Sequence, residues 1–230
     1  MLSVQDLSVT YADGKQAVRH ARFQIAPKES VALVGANGAG KTTLLLALVG
    51  VLAAKTGKVA IDDLVLNKKS AADFRARVGL VFQNPDDQLF MPSIFEDVAF
   101  GPRSFGCHEE QTKQRVHAAL EQLKISHLQN RSPLKLSGGE KRLAAIAAVL
   151  SMEPDYLLFD EPTAFLDPRA RRNLQKIITQ LPQGKLIATH DLSFAAGACS
   201  RVLVLKDSEI MADGGIDCLK DDRLLEAAGL

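Results

Sequence analysis

The sequence predicts an α/β protein with a mixed, largely parallel central sheet. Short apolar runs that indicate buried strands, such as residues 31–34 and 156–159, alternate with segments of helical periodicity. The first 30 residues differ, because apolar and polar positions alternate there around Asp13-Gly14. That pattern predicts antiparallel strands joined by a turn. A chain of 230 residues is also long enough to bury a large core.

Later elements divide the chain into a core and an insertion. Residues 58–63 predict a strand that runs into a turn. Between about 84 and 150 polar helices such as 109–124 replace strands, and after residue 155 the alternation of strands and helices resumes. We therefore expect one domain over 1–230. Its core comprises approximately 1–83 and 151–230, with an N-terminal antiparallel β subdomain, and approximately 84–150 forms an inserted helical subdomain.

Composition narrows the functional class. The formal net charge of +1 leaves no electrostatic footprint for nucleic acid, so no nucleic-acid partner is expected. Cys107, Cys199 and Cys218 are odd in number and lack C-x-x-C spacing, which favours a reducing compartment over a disulfide framework. The longest apolar run, 44–54, is about half the roughly 20 residues that span a bilayer. The first residues do not have the pattern of a signal peptide.

A phosphate-binding loop is the most informative motif. Residues 35–42 fit the pattern G-x-x-x-x-G-K-[ST] between an apolar strand and a helix-forming run. Such a loop turns backbone N–H groups and a helix N-terminus toward a polyphosphate, and Lys41 would hold the β- and γ-phosphates. Thr42 would place its hydroxyl on Mg²⁺. An ordinary glycine-rich turn is disfavoured because strand, glycines, lysine and threonine are all present. The candidate nucleotide-contacting residues here are Gly35, Asn37, Gly38, Ala39, Gly40, Lys41, Thr42 and Thr43.

Two adjacent carboxylates follow the apolar run 156–159. Asp160 would hold Mg²⁺, usually through water, while Glu161 would orient and deprotonate an attacking water as a general base. A strand that merely ends in an acidic turn is the alternative, and the neighbouring phosphate loop makes it less favoured. The core is therefore predicted to be that of a P-loop NTPase.

The segment 136–140 opens a helix with apolar residues at helical spacing. Ser137 and Glu140 have the spacing of a capping box, which is a purely local explanation. It does not explain Gly138 and Gly139, since glycine costs roughly 1 kcal/mol per residue in a helix relative to alanine. Bare N–H groups for a second anion would explain both glycines.

These motifs together resemble a family. Residues 35–43, 83, 136–140, 156–161 and 190 resemble, in that order, the Walker A motif, Q-loop, signature, Walker B motif and switch histidine of ABC-transporter ATPases. The signature distinguishes this family from other P-loop proteins, because many of those proteins share the other two phosphate motifs. The resemblance covers nearly the whole chain.

The resemblance implies a head-to-tail dimer that holds two ATP molecules. Each ATP would lie between the Walker A motif of one subunit and the Ser137-Gly138-Gly139 turn of the other, in a homodimer or in a heterodimer with a related ATPase. Gln83 matches the glutamine that meets Mg²⁺ and the attacking water, and His190 matches the γ-phosphate sensor. Tyr11 falls where the family places an adenine-stacking aromatic, although a strand tyrosine packed on the sheet stays open as an alternative.

One position departs from the family pattern. Residues 164–167 lie where the D-loop is expected, but Phe165 replaces a small residue. Asp167-Pro168 still predicts a helix start with a cap followed by proline. The bulk of Phe165 makes the close approach of two D-loops less certain than ATP binding.

A narrower resemblance rests on residues 81–90 and 96–102, which look like the ATPases of energy-coupling-factor importers for vitamins or for nickel and cobalt ions. Residues 167–172 and 222–230 are most similar to the cobalt/nickel branch. This resemblance implies a peripheral location at the cytoplasmic face of the cell membrane. The partners would be a transmembrane scaffold and substrate-binding membrane subunits, and these would select the transported ion.

Other classes are weighed against this one. A DNA-maintenance ATPase would carry a long heptad insertion or a basic stripe, which this chain lacks. A nucleotide-binding regulator that does not hydrolyse would lack Glu161 or His190. Residues 107–108 and the other histidines have no metal-ligand spacing. Asp86 and Asp87, just past Gln83, are candidates for pairing with arginines of the membrane scaffold, or are simply solvated.

Overall fold

The computed structural model describes all residues, 1–230. Its ten strands are, in chain order, β1 (Leu2–Thr10), β2 (Gln16–Ile25), β3 (Ser30–Val34), β4 (Thr56–Ile61), β5 (Leu64–Val65), β6 (Val78–Val81), β7 (Tyr156–Asp160), β8 (Gly184–Ala188), β9 (Arg201–Lys206) and β10 (Glu209–Gly215). Its eight α-helices are α1 (Lys41–Leu48), α2 (Ala71–Arg77), α3 (Ile94–Ser104), α4 (Glu109–Gln122), α5 (Gly138–Leu150), α6 (Pro168–Gln180), α7 (Leu192–Ala198) and α8 (Asp222–Ala228).

The first sheet is antiparallel and has the strand order β2-β1-β4-β5. Leu2 in β1 lies opposite both Ile25 and Ile61, so β1 occupies the interior of this sheet. The turn between β1 and β2 contains Gly14 at φ 87°, where glycine avoids the strain of a left-handed backbone. The predicted N-terminal antiparallel β subdomain is confirmed.

The second sheet has the order β10-β9-β3-β8-β7-β6. Its strands are parallel except for β10, which runs antiparallel to β9 at the edge. The predicted mixed, largely parallel sheet is confirmed. Because β3, β6, β7 and β8 point the same way, the loops that follow them meet at one edge of the sheet. In open α/β sheets this carboxyl edge is where ligands bind.

Strand β7 is apolar over most of its length because both of its faces are buried. Leu158 packs into a cluster of 26 buried residues shared with α1 and the antiparallel sheet. Leu157 and Phe159 face the opposite way, into a second cluster of 26 buried residues that includes the helices of the insertion. A strand buried on both faces reads as a continuous hydrophobic run.

The insertion is helical. Between residues 84 and 150 the chain forms α3, α4 and α5 together with short 3₁₀ turns, and it contributes no strand. Its apolar faces pack onto β6 and β7 in the second cluster. The segment is therefore helical, as the sequence predicts, while its approximate boundaries at 84 and 150 stay a prediction. None of the helices combines the length and the apolar character that a bilayer crossing needs.

Candidate nucleotide-binding site

The phosphate loop joins β3 to α1 and depends on its glycines. Gly40 caps α1 at φ 110°, and no side chain caps this helix. A Cβ on Gly40 would lie 2.1 Å from the carbonyl oxygen of Ala17, and a Cβ on Gly35 would lie 2.3 Å from that of Leu205. Both positions therefore exclude any larger residue. The first N–H groups of α1 remain directed toward the loop, as an anion site requires.

A cleft of about 420 Å³ opens above this loop. It collects predicted residues from the β1–β2 turn and from the loops after β3, β6, β7 and β8: Tyr11, Asn37, Gly38, Gly40, Lys41, Thr42, Thr43, Gln83, Glu161 and His190. Lys15 and Ala17 also line it and were not anticipated. Gly35 and Ala39 are buried behind the cleft and shape the loop without lining it.

Lys41 is held by the loop that it follows. Its side chain is buried, and Nζ donates hydrogen bonds to the carbonyl oxygens of Gly35 at 2.8 Å and of Ala36 at 3.3 Å. Nζ also lies 3.6 Å from Oε1 of Glu161. The ammonium group is thus fixed at the floor of the cleft, beside the carboxylate that the sequence predicts to be the base.

Glu161 has an unusual backbone. Its φ of 42° places a non-glycine residue in the left-handed region, a conformation that costs of order 1–3 kcal/mol and clusters at functional sites. Its N–H donates to the carbonyl oxygen of Ala188 at 2.8 Å. Oε2 lies 3.0 Å from Nδ1 of His190 and accepts a hydrogen bond from the His190 backbone N–H at 3.3 Å. The strained turn therefore directs a buried carboxylate at the exposed His190 ring.

Asp160, at the end of β7, is buried, and its Oδ1 has no hydrogen-bond partner. Burial raises the pKa of this carboxyl, and the nearby hydroxyl of Thr42 opposes the rise. A buried polar atom without a partner needs an explanation, and carboxylate and hydroxyl oxygens are ligands of Mg²⁺. Asp160 and Thr42 therefore fit a divalent cation at this place.

Tyr11 lies at the rim of the cleft with 39% of its surface exposed. Its hydroxyl is hydrogen-bonded to Oγ1 of Thr43 at 2.6 Å. The phenol is thus anchored at its polar end to the first turn of α1. The exposed part of the residue lies at the cleft, where a flat base could stack.

The three signature residues do not join the cleft. Ser137 and Gly139 line a separate groove of about 830 Å³ between the start of α5 and helix α6. The predicted capping box is present, with the Glu140 N–H donating to Oγ of Ser137 and the Ser137 N–H donating to the Glu140 carboxylate. A Cβ on Gly138 would meet nothing within 4 Å, so packing within this chain does not require that glycine.

Phe165 and its neighbours form the connection between β7 and α6. Phe165 has φ 63° and is 89% exposed, the most exposed of the large apolar side chains. Asp167 caps α6 by accepting from the N–H groups of Arg169 and Ala170, and Pro168 occupies the first helical position. The predicted helix start is therefore present.

Asp86 has a partner within the chain. Its carboxylate lies 2.6 Å from Nζ of Lys141 on α5, although the Asp86 side chain remains 56% exposed. The Asp87 carboxylate accepts a single hydrogen bond, from the side-chain amide of Asn84 at 3.3 Å. Of the two acidic residues proposed for pairing with a membrane protein, Asp87 is the more available.

Comparison with known proteins finds relatives among the ATP-binding proteins of ABC transporters. The family model described as "ABC transporter" matches residues 18–164. A putative ABC transporter ATP-binding protein of Geobacter sulfurreducens, GSU1281, is 48% identical over 100% of this chain and 93% of its own length. The energy-coupling factor transporter ATP-binding protein EcfA of Carboxydothermus hydrogenoformans is 41% identical over 100% of this chain and 86% of its own length.

Solved structures agree. The structure of cbiO1 from Clostridium perfringens, described as part of the ABC transporter complex cbiONQ, has a TM-score of 0.86 and 33% identity, over 98% of this chain and 93% of that one. A dimeric post-hydrolysis structure of the ATP-binding cassette MJ0796, bound to ADP and Pi, has a TM-score of 0.81 and 25% identity, over 94% and 99%. The fold, the cleft and these relatives together show that the chain is an ATPase of the ABC transporter family, of the energy-coupling-factor type.

Proposed function

We propose that this ATPase powers an importer of the energy-coupling-factor type and that its cargo is a cobalt or nickel ion. The observation that carries the ATPase role is the convergence of Lys41, Gln83, Glu161 and His190 on one cleft from four different loops. Similarity to EcfA and to a subunit of the cbiONQ complex supports work within a membrane transporter. The resemblance of residues 167–172 and 222–230 to the cobalt/nickel branch supports the choice of cargo.

We assign roles in ATP binding and hydrolysis to four side chains of the cleft. Lys41 and the N–H groups of α1 bind the phosphates of ATP, and Tyr11 stacks on the adenine. Glu161 accepts a proton from the attacking water. An ionised carboxylate carries no proton of its own and acts only as a hydrogen-bond acceptor, as a general base must. His190, 3.0 Å from Oε2, contacts the γ-phosphate and positions that carboxylate.

Asp160, Thr42 and Gln83 would hold Mg²⁺, the first two through the oxygens described above. When bound, the ion would neutralise negative charge on the phosphates as the γ-phosphoryl group is transferred. The side chains of the protein position the phosphates and the attacking water. The phosphates are fixed at the floor of the cleft by Lys41, and the water is oriented from the side of β7 by Glu161.

The working unit is proposed to be a head-to-tail dimer, formed when ATP binds. The signature turn lies outside the cleft of its own chain, and Gly138 has no packing role there. A second subunit, identical or related, would place its ATP against the Ser137-Gly139 turn. The dimeric structure of MJ0796, bound to ADP and Pi, supports a dimer as the working unit.

Membrane subunits are proposed to bind the insertion, which we take to extend over approximately 84–150, with the core over 1–83 and 151–230. The ATPase would then lie at the cytoplasmic face of the cell membrane. The test is uptake of radiolabelled cobalt or nickel by cells that carry the cognate membrane proteins, with and without a functional copy of this chain. Uptake that depends on the chain is expected. Dependence of biotin uptake alone would instead identify the vitamin importer.

A further inference from the structure

Arg142 is the largest of the fully buried side chains, with 1% of its surface exposed. It lies on α5, three residues after Gly139 and close to the signature turn. Arginine is almost never fully buried unless it is paired. The guanidinium of Arg142 donates its hydrogen bonds to two backbone carbonyls, and the negative charge of Asp160 lies near enough to favour its charged form.

Those carbonyls belong to the loop that carries Gln83. Nη1 of Arg142 donates to the carbonyl oxygen of Phe82 at 2.6 Å, and Nη2 donates to that of Gln83 at 2.5 Å. Nε is buried without a partner. Burial lowers the pKa of Arg142 to about 10, which leaves the group charged at neutral pH. A buried charge that is only partly satisfied is costly, and it calls for a reason beyond packing.

Two further contacts attach the same loop to α5. Lys141 pairs with Asp86 at the exposed surface. Gln88 donates from Nε2 to the carbonyl oxygen of Ala145 at 2.8 Å and accepts from the Phe82 N–H at 3.3 Å. Four residues of the segment 82–88 are therefore bonded to α5, at positions 82, 83, 86 and 88. Among these hydrogen bonds and ion pairs, only the bond from Arg142 is made to Gln83 itself.

We propose that Arg142 is a positioning residue that fastens the backbone at Gln83 to the first turns of α5, so that Gln83 and the signature turn move as one unit. The inference rests on the proposed function, in which Gln83 contacts the nucleotide of its own cleft and the signature turn contacts the nucleotide of the partner. Under that arrangement Arg142 connects the two nucleotide sites of the dimer through a single helix. Engagement of the signature turn on one ATP thereby adjusts the glutamine at the other.

Hydrogen exchange tests the attachment without relying on activity. Arg142→Lys keeps a positive charge, but one nitrogen replaces the two that each donate to a separate carbonyl oxygen, so the rigid guanidinium fork is lost. Amide exchange in residues 82–88 should rise by roughly tenfold, as expected when a contact that limits local opening is removed. Lys141→Met, which removes the partly exposed ion pair to the same loop, is the matched control and should change exchange far less. Unchanged exchange at 82–88 in Arg142→Lys would overturn the proposal.

A double-mutant cycle separates this proposal from the assigned role of Gln83. Gln83→Ala alone should lower kcat; if it does not, the proposed function of Gln83 is wrong. Arg142→Lys should lower kcat by about 10- to 100-fold, the scale of a misplacement of about 1 Å. In the double variant the effects should not add, because both changes disable the same glutamine. Additive losses would leave Gln83 in its role and reject Arg142 as its positioner.

A third variant covers the case in which Arg142→Lys does not fold. Ser137→Ala removes an exposed helix cap and loosens the start of α5 while Arg142 stays in place. If the helix and the loop form one unit, exchange should rise both in residues 137–143 and in residues 82–88. A rise confined to 137–143 would show that the loop is independent of the helix and would reject the coupling.

Discussion

Oε1 of Glu161 lies 3.6 Å from Nζ of Lys41, and both side chains are buried. The proposed base and the proposed phosphate ligand therefore lie together at the buried floor of the cleft, although they come from loops after two different strands. Their substitutions should have separable effects, because one acts on proton transfer and the other on phosphate binding.

Glu161→Gln should keep ATP binding and lose hydrolysis by about 10²- to 10⁴-fold, the usual contribution of a general base. The amide has nearly the shape of the carboxylate but cannot accept the proton of the attacking water. Single-turnover hydrolysis and binding of a fluorescent ATP analogue measure the two steps. The control is Glu121→Gln, on the exposed face of α4, which should behave as wild type. Wild-type turnover in Glu161→Gln would remove Glu161 from the mechanism.

Lys41→Ala should weaken ATP binding itself. The ammonium group is the only buried cation that lines the cleft, since Lys15 is exposed at the rim. Loss of a charge-assisted contact to phosphate costs roughly 1.5–3 kcal/mol, which corresponds to about a 10- to 150-fold rise in Kd. Equilibrium titration with the same ATP analogue measures it, and Lys15→Ala gives the comparison. An unchanged Kd in Lys41→Ala would contradict the phosphate-binding role.

ATP should drive dimerisation through the signature turn. Glu161→Gln protein at micromolar concentration should sediment as a dimer with ATP and as a monomer with ADP. Adding Ser137→Arg should abolish the shift, because the large side chain would fill the space offered to the partner's phosphates. Ser126→Arg, at another exposed serine of the helical insertion, is the control and should still dimerise. Dimerisation that survives Ser137→Arg would place the interface elsewhere.

The sequence predicts most of the residues that line the cleft, because the two phosphate motifs are local. Residues 35–42 and 156–161 each place strand, turn and functional side chains within a few positions, so the motif predicts the geometry. Other contacts are not local. Arg142 falls in a helix where sequence alone would leave an arginine at the surface. The carbonyls of residues 82 and 83, together with the nearby charge of Asp160, make its burial tolerable. Lys15 reaches the cleft because the whole β1–β2 turn folds over the phosphate loop.

Phe165→Gly should stabilise the isolated chain slightly and weaken the ATP-driven dimer. The left-handed backbone at φ 63° costs a non-glycine residue about 1–2 kcal/mol, which glycine avoids at a smaller entropic cost. The exposed ring lies beside Gly138, on the face assigned to the partner, and burying such a side chain is worth about 1.5–3 kcal/mol. Thermal unfolding and sedimentation measure the two effects. A tighter dimer in Phe165→Gly would mean that the ring obstructs the contact.

Asp97 should make the protein less stable as the pH rises. Burial raises the pKa of this carboxyl, and the N–H groups of Met91 and Phe90 only partly offset the effect. The folded state therefore holds the proton more tightly than the unfolded state, so stability falls as the pH climbs from the ordinary carboxyl pKa through the raised one. Asp97→Asn lacks this titration. Its free energy of unfolding, measured in urea and taken relative to wild type, should be larger near pH 7 than near pH 4, which means that the variant gains relative stability as the pH rises. Asp97→Ala, which loses both accepted bonds, should be less stable than wild type at either pH, and a pH-independent difference for Asp97→Asn would contradict the argument.

Asp87 should matter for transport but not for hydrolysis by the isolated subunit. It lies just past Gln83 in an exposed loop. Its carboxylate accepts a hydrogen bond only from Asn84, whereas Asp86 already pairs with Lys141. An exposed ion pair contributes about 0–1 kcal/mol, so only an arginine desolvated at the membrane scaffold would give a large effect. Asp87→Asn should therefore leave basal ATPase activity nearly unchanged, yet reduce both co-purification of the scaffold and uptake of radiolabelled nickel or cobalt. Asp86→Asn is the matched control and should reduce them less. Full uptake and full complex yield in Asp87→Asn would show that this carboxylate is solvated surface and that the scaffold binds elsewhere on the helical insertion.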